Sequence, residues 1–292
     1  MISKFKAGFV SIIGKPNVGK STLMNKILKE KISIISPKPQ TTRQQVKGIY
    51  NDDEKQIIFL DTPGFVEARY ELHNKMLEYL MRSISDSDLV VFITDAHQYP
   101  TDYDKKILKI LSSIHKPIIA ILNKIDLVEN YEKQISDLKI FDFVKTIPIS
   151  VLQTTDFSFL VDMIAEYLPE NPPFFDQEEI SDMPMRFFVQ EIVREQIFLN
   201  FTEEIPYAST VVVEQYQDFE NKVKIYANIW LENKSQKPIL LGKNGMMIKK
   251  IRLASEKEIH KIIKKRVKLD LWIKIKPNWR KKKNALKEFG YR

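Results

Sequence analysis

Residues 14–21 read Gly14-Lys15-Pro16-Asn17-Val18-Gly19-Lys20-Ser21, and this stretch decides the fold class of the first half of the chain. It fits the phosphate-loop pattern G-x-x-x-x-G-K-[ST]. An apolar run precedes it (Phe9, Val10, Ile12, Ile13) and a helical pattern follows (Leu23, Met24, Ile27, Leu28). That order has a chemical reason. Glycines let backbone N–H groups close on a phosphate, and the helix behind them presents its positive N-terminus to the anion. The Lys20 ammonium is placed to reach β- and γ-phosphates, and the Ser21 hydroxyl to ligate Mg²⁺. All eight residues are candidates for nucleotide binding.

Outward from this loop, apolar runs alternate with amphipathic stretches at α/β spacing. The spacing predicts strands over 7–13, 46–51, 56–60, 89–94, 117–122 and 145–149, and helices over 20–29, 70–83, 102–114, 131–140 and 156–168. Runs such as Leu89 to Ile93 and Ile118 to Leu122 are continuously apolar, as a mostly parallel sheet covered on both faces requires. Residues 31–45 have neither period and read as a functional loop. The predicted organisation is an α/β domain over 1–170, a proline-rich acidic linker over 171–183 and an α+β module over 184–292. In that module 185–199 reads as a helix, 207–217 and 221–232 as an antiparallel pair, and 245–265 as basic helix. A strand over 267–275 and a last basic helix near 280–289 complete it.

Three further motifs narrow the nucleotide, since a phosphate loop alone serves ATPases, kinases and GTPases alike. Asp61-Thr62-Pro63-Gly64 ends the third predicted strand. Its aspartate can hold Mg²⁺ through water, and the Gly64 N–H can sense a γ-phosphate. Asn123-Lys124-Ile125-Asp126 ends the strand at 117–122. The Asp126 carboxylate can accept hydrogen bonds from guanine N1–H and its exocyclic amine, donors that adenine lacks in that arrangement. Asn123 can brace the loop or meet N7, and the Lys124 stem can cover the base. Ser150 ends the strand at 145–149, where its backbone N–H could contact guanine O6. Each motif lies at a strand's C-terminal end, where open α/β sheets bind ligands.

Within the loop 31–45, Thr42 is the candidate to complete Mg²⁺ coordination when a γ-phosphate is present, with Thr41 as the alternative. The metal set is thus Ser21, Thr42 and Asp61. Many GTPases position water with a glutamine directly after the D-x-x-G motif; here that position is Phe65, which cannot orient water. Asn17 offers another route, its carbonyl holding a K⁺ ion against the phosphates. The catalytic candidates are therefore Asn17, Lys20, Thr42 and Gly64.

Charge is divided unevenly. The net formal charge is +8, yet residues 1–170 carry 22 Lys+Arg against 22 Asp+Glu, while residues 237–292 carry 19 against 4. A polyanionic partner for the C-terminal part follows. Gly242-Lys243-Asn244-Gly245 forms a G-x-x-G turn, with Lys249, Lys250 and Arg252 on the segment behind it. Such a turn lets a nucleic-acid backbone approach closely, so these seven residues are the candidate RNA contacts. Trp272 is read as core, alternating inward with Leu269, Leu271 and Ile273. The run Arg280 to Lys283 suits RNA or an acidic membrane surface. The chain has no cysteine and 4 histidines, which excludes disulfides and gives no transition-metal spacing. The stretch MISKFKAGFV lacks an apolar core of secretory length, and no run is long enough to span a bilayer.

These motifs carry a resemblance. GKPNVGKS, PQTTR (39–43), DTPGF (61–65), NKID (123–126), the G-x-x-G turn and the Trp-Arg…Phe-Gly-Tyr ending (279–291) are similar to the Era family of bacterial ribosome-assembly GTPases, in the Era/TrmE-like translation-factor class. One departure is Val151, where the guanine loop more often has alanine. The resemblance implies a P-loop GTPase domain followed by a type II KH-like RNA-binding domain. It also implies GTP/GDP and Mg²⁺ as cofactors, and a monomer that binds the 3′ end of small-subunit rRNA and the 30S subunit. A cytoplasmic location with some peripheral membrane contact is implied as well. An alternative from the residues is an RNA- or membrane-binding adaptor in which nucleotide is mainly structural.

Overall fold

A computed structural model describes residues 5–291. Residues 1–4 and 292, the start of the charged N-terminal stretch and the outer ends of the two predicted domains, lie outside the described residues. Two compact units emerge. One runs to Ala68 and includes Met76–Asp182; the other combines Arg69–Lys75 with the chain from Met183 onward.

The first unit holds β1 (Lys6–Ile13), α1 (Lys20–Leu28), β2 (Val46–Asn51), β3 (Lys55–Asp61), most of α2 (Glu71–Asp86), β4 (Leu89–Asp95), α3 (Asp102–Leu111), β5 (Ile118–Asn123), α4 (Glu132–Leu138), β6 (Lys145–Pro148) and α5 (Ser158–Glu166). Its sheet runs β2-β3-β1-β4-β5-β6, with β2 antiparallel to β3 and every other pair parallel. Every residue of β4 and β5 is buried. Their unbroken apolar runs therefore fit only in the middle of a sheet covered on both faces. Parallel pairing brings the strand C-termini to one rim: Ile12 lies opposite Asp61, and Asp95 opposite Asn123. The motif residues, far apart in sequence, arrive together for that reason.

The stretch read as a linker is hydrogen-bonded to this unit. Phe174 N–H donates to Gln56 Oε1 at 2.6 Å, Ile49 N–H donates to the Ile180 carbonyl at 2.9 Å, and Ser181 Oγ donates to the Lys47 carbonyl at 2.6 Å. Asp182 also pairs with Lys47 at 2.6 Å. β2 is an edge strand, and a covered edge does not recruit other strands.

The second unit consists of α6 (Met185–Asn200), α7 (Ile205–Ala208), β7 (Thr210–Asp218), β8 (Lys222–Leu231), α8 (Gln236–Leu241), α9 (Met246–Ile263), β9 (Arg266–Ile275) and α10 (Lys283–Glu288). The expected α-β-β-α-β order omits α7 and α8, which at four and six residues are too short to show a helical period. The sheet runs β7-β8-β9, with β7 antiparallel and β9 parallel to β8. Val223, Ile225, Ala227, Ile229 and Leu231 from β8 and Leu269 from β9 join residues of α6 and α9 in one core.

The inward reading of Trp272 is wrong. Leu269, Leu271 and Ile273 share one face, and a strand's period of two sends Trp272 to the other, where it is 65% exposed. Trp279 is instead the core tryptophan of the C-terminal tail, fully buried, its Nε1–H donating to the Ala208 carbonyl at 2.9 Å. Phe289 and Tyr291 pack on it. Arg280 is half buried and ion-paired with Glu232; of the run 280–283 the three lysines face water. Among the described residues, no helix is long and apolar enough to cross a membrane.

Candidate functional site

The phosphate loop is held by hydrogen bonds within the chain. Lys20 is buried, and its Nζ donates to the carbonyls of Lys15 at 2.9 Å and Gly14 at 3.3 Å. Burial pushes this ammonium down to about 8, with the Asp61 charge opposing the shift. Ser21 Oγ donates to Asp61 Oδ2 at 2.6 Å, and Thr42 Oγ1 lies 3.1 Å from Ser21 Oγ and 3.5 Å from the same carboxylate oxygen. The other Asp61 oxygen, Oδ1, is buried and takes no hydrogen bond. Burial drives the Asp61 carboxyl up, while the Ser21 hydrogen bond and the Lys20 charge pull it down. Two hydroxyls and a half-satisfied buried carboxylate form the all-oxygen donor set that suits a hard divalent cation.

Thr42 belongs to this cluster, whereas Thr41 Oγ1 donates to the Lys38 carbonyl at 2.7 Å inside its own loop. Asn17, held at a positive φ of 63°, donates from Nδ2 to the Pro37 carbonyl at 2.7 Å. That bond joins the phosphate loop to loop 31–45 across the mouth of the cavity, which Ser36, Gln40 and Gly64 also line. Thr62 anchors its motif through Oγ1 to the Ile12 carbonyl at 2.8 Å, and Pro63 is buried beside it. Gly64 lies so close to the loop that an added Cβ would sit 2.9 Å from Pro16 Cα. Only a glycine fits there. Phe65 packs into the core, edge-on to Tyr103 at 6.1 Å, and so cannot hold water.

The guanine-side motifs share one cavity lined by Ile125, Asp126, Pro148, Ser150 and Thr154. Asp126 is exposed to it. Asn123 uses both ends of its amide inside the protein: Nδ2 donates to the Val18 carbonyl at 2.7 Å, and Oδ1 accepts from Val151 N–H at 2.8 Å. It is a brace tying phosphate loop to guanine loop. The Val151 contact is made by backbone, so valine serves there as alanine would. Lys124 Nζ donates to Asp95 at 3.4 Å. The Lys15 side chain points inward, pairing with Asp104 at 2.9 Å and lying 3.9 Å from Asp95. Its contribution to nucleotide binding is thereby limited to its backbone. Asp95 and Asp104 escaped sequence reading. Asp95 could have been found as the carboxylate ending the buried strand β4 at the rim that carries the other motifs; Asp104 sits in a capping box with Thr101 at the start of α3.

In the second unit Gly242 adopts φ +70°, and a Cβ there would meet Met247 Cβ at 2.7 Å. Lys243 and Asn244 are exposed at the turn, with Gly245 leading into α9. Lys249 and Arg252 line a cavity of about 450 Å³ with Tyr226, Ile248, Asp270, Leu271 and Trp272; Lys250 stands in water on the same helix. Arg252 also pairs with Glu256 at 2.9 Å, and Glu256 accepts the Leu269 N–H at 2.9 Å. The cavity therefore combines apolar walls with cations, and the G-x-x-G turn lies at the start of the same helix α9.

Comparison with known proteins agrees with both halves. Residues 9–124 match the family model described as 50S ribosome-binding GTPase, and residues 204–280 match the KH domain model. GTPase Era of Geotalea daltonii is 41% identical, the match covering 99% of this chain and 98% of that protein. GTPase Era of Halothermothrix orenii is 40% identical, with 99% of each covered. A crystal structure of an Aquifex aeolicus Era variant bound to GDP and AlF4⁻ superposes with a TM-score of 0.95 at 36% identity, covering 98% of this chain and 99% of that one. A structure of Era with MgGDPNP and nucleotides 1506–1542 of 16S ribosomal RNA gives 0.94, also at 36% identity and the same coverage.

Proposed function

The chain belongs to the Era family of GTPases, and from that premise we propose that it couples GTP hydrolysis to binding of the 3′ end of small-subunit rRNA during 30S subunit assembly. It hydrolyses GTP to GDP and phosphate. The observation that carries the coupled reading is one chain holding two finished sites. One is a phosphate loop tied by Asn123 to a guanine cavity. The other is the G-x-x-G turn that leads into α9, with the cavity lined by Lys249 and Arg252 on that helix.

Lys20 would exchange its two carbonyl partners for β- and γ-phosphate oxygens, and Gly64 N–H would meet the γ-phosphate. Ser21, Thr42 and Asp61 would hold Mg²⁺, which supplies charge neutralisation across the phosphates. Thr42 and Gly64 lie on the two loops able to report whether a γ-phosphate is bound. Asp126 and the Ser150 backbone would read guanine, with Lys124 over the base.

Phe65 leaves no side chain after D-x-x-G to orient water, so unaided hydrolysis is slow. A potassium-assisted route would run through the Asn17 side-chain carbonyl, on a carboxamide held at the cavity mouth by its Nδ2 bond to the Pro37 carbonyl. Equal turnover in K⁺ and Na⁺, with Asn17→Ala unaffected, would overturn this. In the KH domain, residues 242–245 with Lys249, Lys250 and Arg252 would clamp unpaired RNA. The exposed lysines 281–283 suit peripheral contact with an acidic membrane, and the chain acts as a cytoplasmic monomer. RNA affinity of the full chain is measured with GTP analogue, with GDP and without nucleotide. Equal affinity in all three breaks nucleotide control.

A further inference from the structure

The three tryptophans have different fates. Trp279 is fully buried, and Trp230 packs on Phe289 at 5.3 Å with Lys274 over its ring at 5.3 Å. Trp272 is left 65% exposed, although Leu271 and Ile273 on either side pack against the core. An indole held in water forgoes one of the largest burial gains available to a side chain. Its position gives a reason. β9 is an edge strand, and Trp272 stands on the sheet face away from the core, opposite Asn228, at the wall of the cavity that Lys249 and Arg252 line.

We propose that Trp272 is a stacking platform for one unpaired RNA base bound in or beside the G-x-x-G groove. This rests on the RNA-binding reading above and adds a contact to it. Aromatic faces accept any base, so the platform adds affinity and register without sequence preference, while the lysines meet the flanking phosphates. Residues 237–292 carry 19 Lys+Arg against 4 Asp+Glu, which calls for a polyanion. A tryptophan beside lysines also suits an anionic bilayer. Here, however, the cavity is concave and has Asp270 in its wall. A base offers donors to that carboxylate, whereas a sheet of anionic headgroups would be repelled by it.

The test uses the full chain and an RNA matching the segment in the relative's complex. Tryptophan emission and RNA affinity are followed together in wild type, Trp272→Ala, Trp272→Phe and Gly242→Asp. Stacking predicts that RNA quenches wild-type emission. Trp272→Ala should bind roughly five- to a hundredfold more weakly, the range expected for one stacked base. Trp272→Phe should recover affinity to within about threefold while losing the quench. If Trp272→Ala binds within about twofold of wild type while Gly242→Asp does not bind, the platform is wrong and the RNA reading stands. If wild type binds no RNA, both fall. A blue shift with phosphatidylglycerol vesicles and no change with RNA would overturn the proposal in favour of a bilayer.

Discussion

Around Lys20, Asp61 and Asn123 the polar groups are buried and already hold partners within the chain, whereas around Gly242–Gly245 the basic groups stand in water. The first region is braced by hydrogen bonds within the chain, and burial amplifies each charge. The second draws on a diffuse field of lysines, with only the backbone turn and the cavity shaped in advance. Specificity for a small ligand needs the first arrangement. Capture of a long polyanion is served by the second, where each contact is weak and many act together.

If this contrast holds, single substitutions at the nucleotide site act in large steps. Asp126→Ala removes both acceptors for guanine, and GDP affinity measured by calorimetry should fall roughly a hundredfold or more. Lost affinity for guanine without any gain for adenine sharpens the assignment; an unchanged affinity breaks it. Next in size is Gly242→Asp. It strains a positive-φ turn, collides with Met247 and sets a carboxylate against phosphate. RNA affinity should drop by roughly thirtyfold or more, and GDP affinity should stay constant. A parallel loss of GDP binding would show that the two regions are not separate sites.

The buried lysine makes the contrast visible in pH. Lys20 has a folded value of about 8 against an ordinary 10.5. Above about pH 8 the free protein loses the ammonium that the phosphates need. GDP affinity should then decline with a slope approaching tenfold per pH unit, with proton uptake on binding in buffers of differing ionisation enthalpy. The folding stability of the nucleotide-free chain should move the opposite way. Between about pH 8 and 10.5 the unfolded state binds more protons at this group, so its contribution to stability rises with pH. The smallest steps belong to the groove. Lys249→Ala and Lys250→Ala should each weaken RNA binding a few-fold, and each should lower the slope of log affinity against log salt by about one. A loss that ignores salt would mean that these lysines do not face phosphate.

Much of this architecture was legible beforehand, for identifiable reasons. Continuous apolar runs predict the central strands because a parallel sheet leaves no face for polar residues. The nucleotide motifs are readable because phosphate and guanine each demand particular atoms at short sequence spacing. Hydrophobicity alone assigns Trp272 to the core, whereas the period of two of a strand places it on the face opposite Leu271 and Ile273. The stretch 171–183 reads as a linker because its prolines and acids say nothing about the Gln56 side chain and the Lys47 and Ile49 backbone that bind it.

By itself the sequence determined what chemistry the chain can offer: a phosphate loop, an aspartate spaced to read guanine and a basic turn without side chains at its glycines. Those are local properties, set by residue type and by spacings shorter than one supersecondary unit. Only the tertiary structure decided which of Thr41 and Thr42 reaches Asp61, that Asn123 is a brace, and that Lys15 turns inward to Asp104. Each of those outcomes depends on groups brought together from distant parts of the chain, where packing and burial select among alternatives that are equal in sequence.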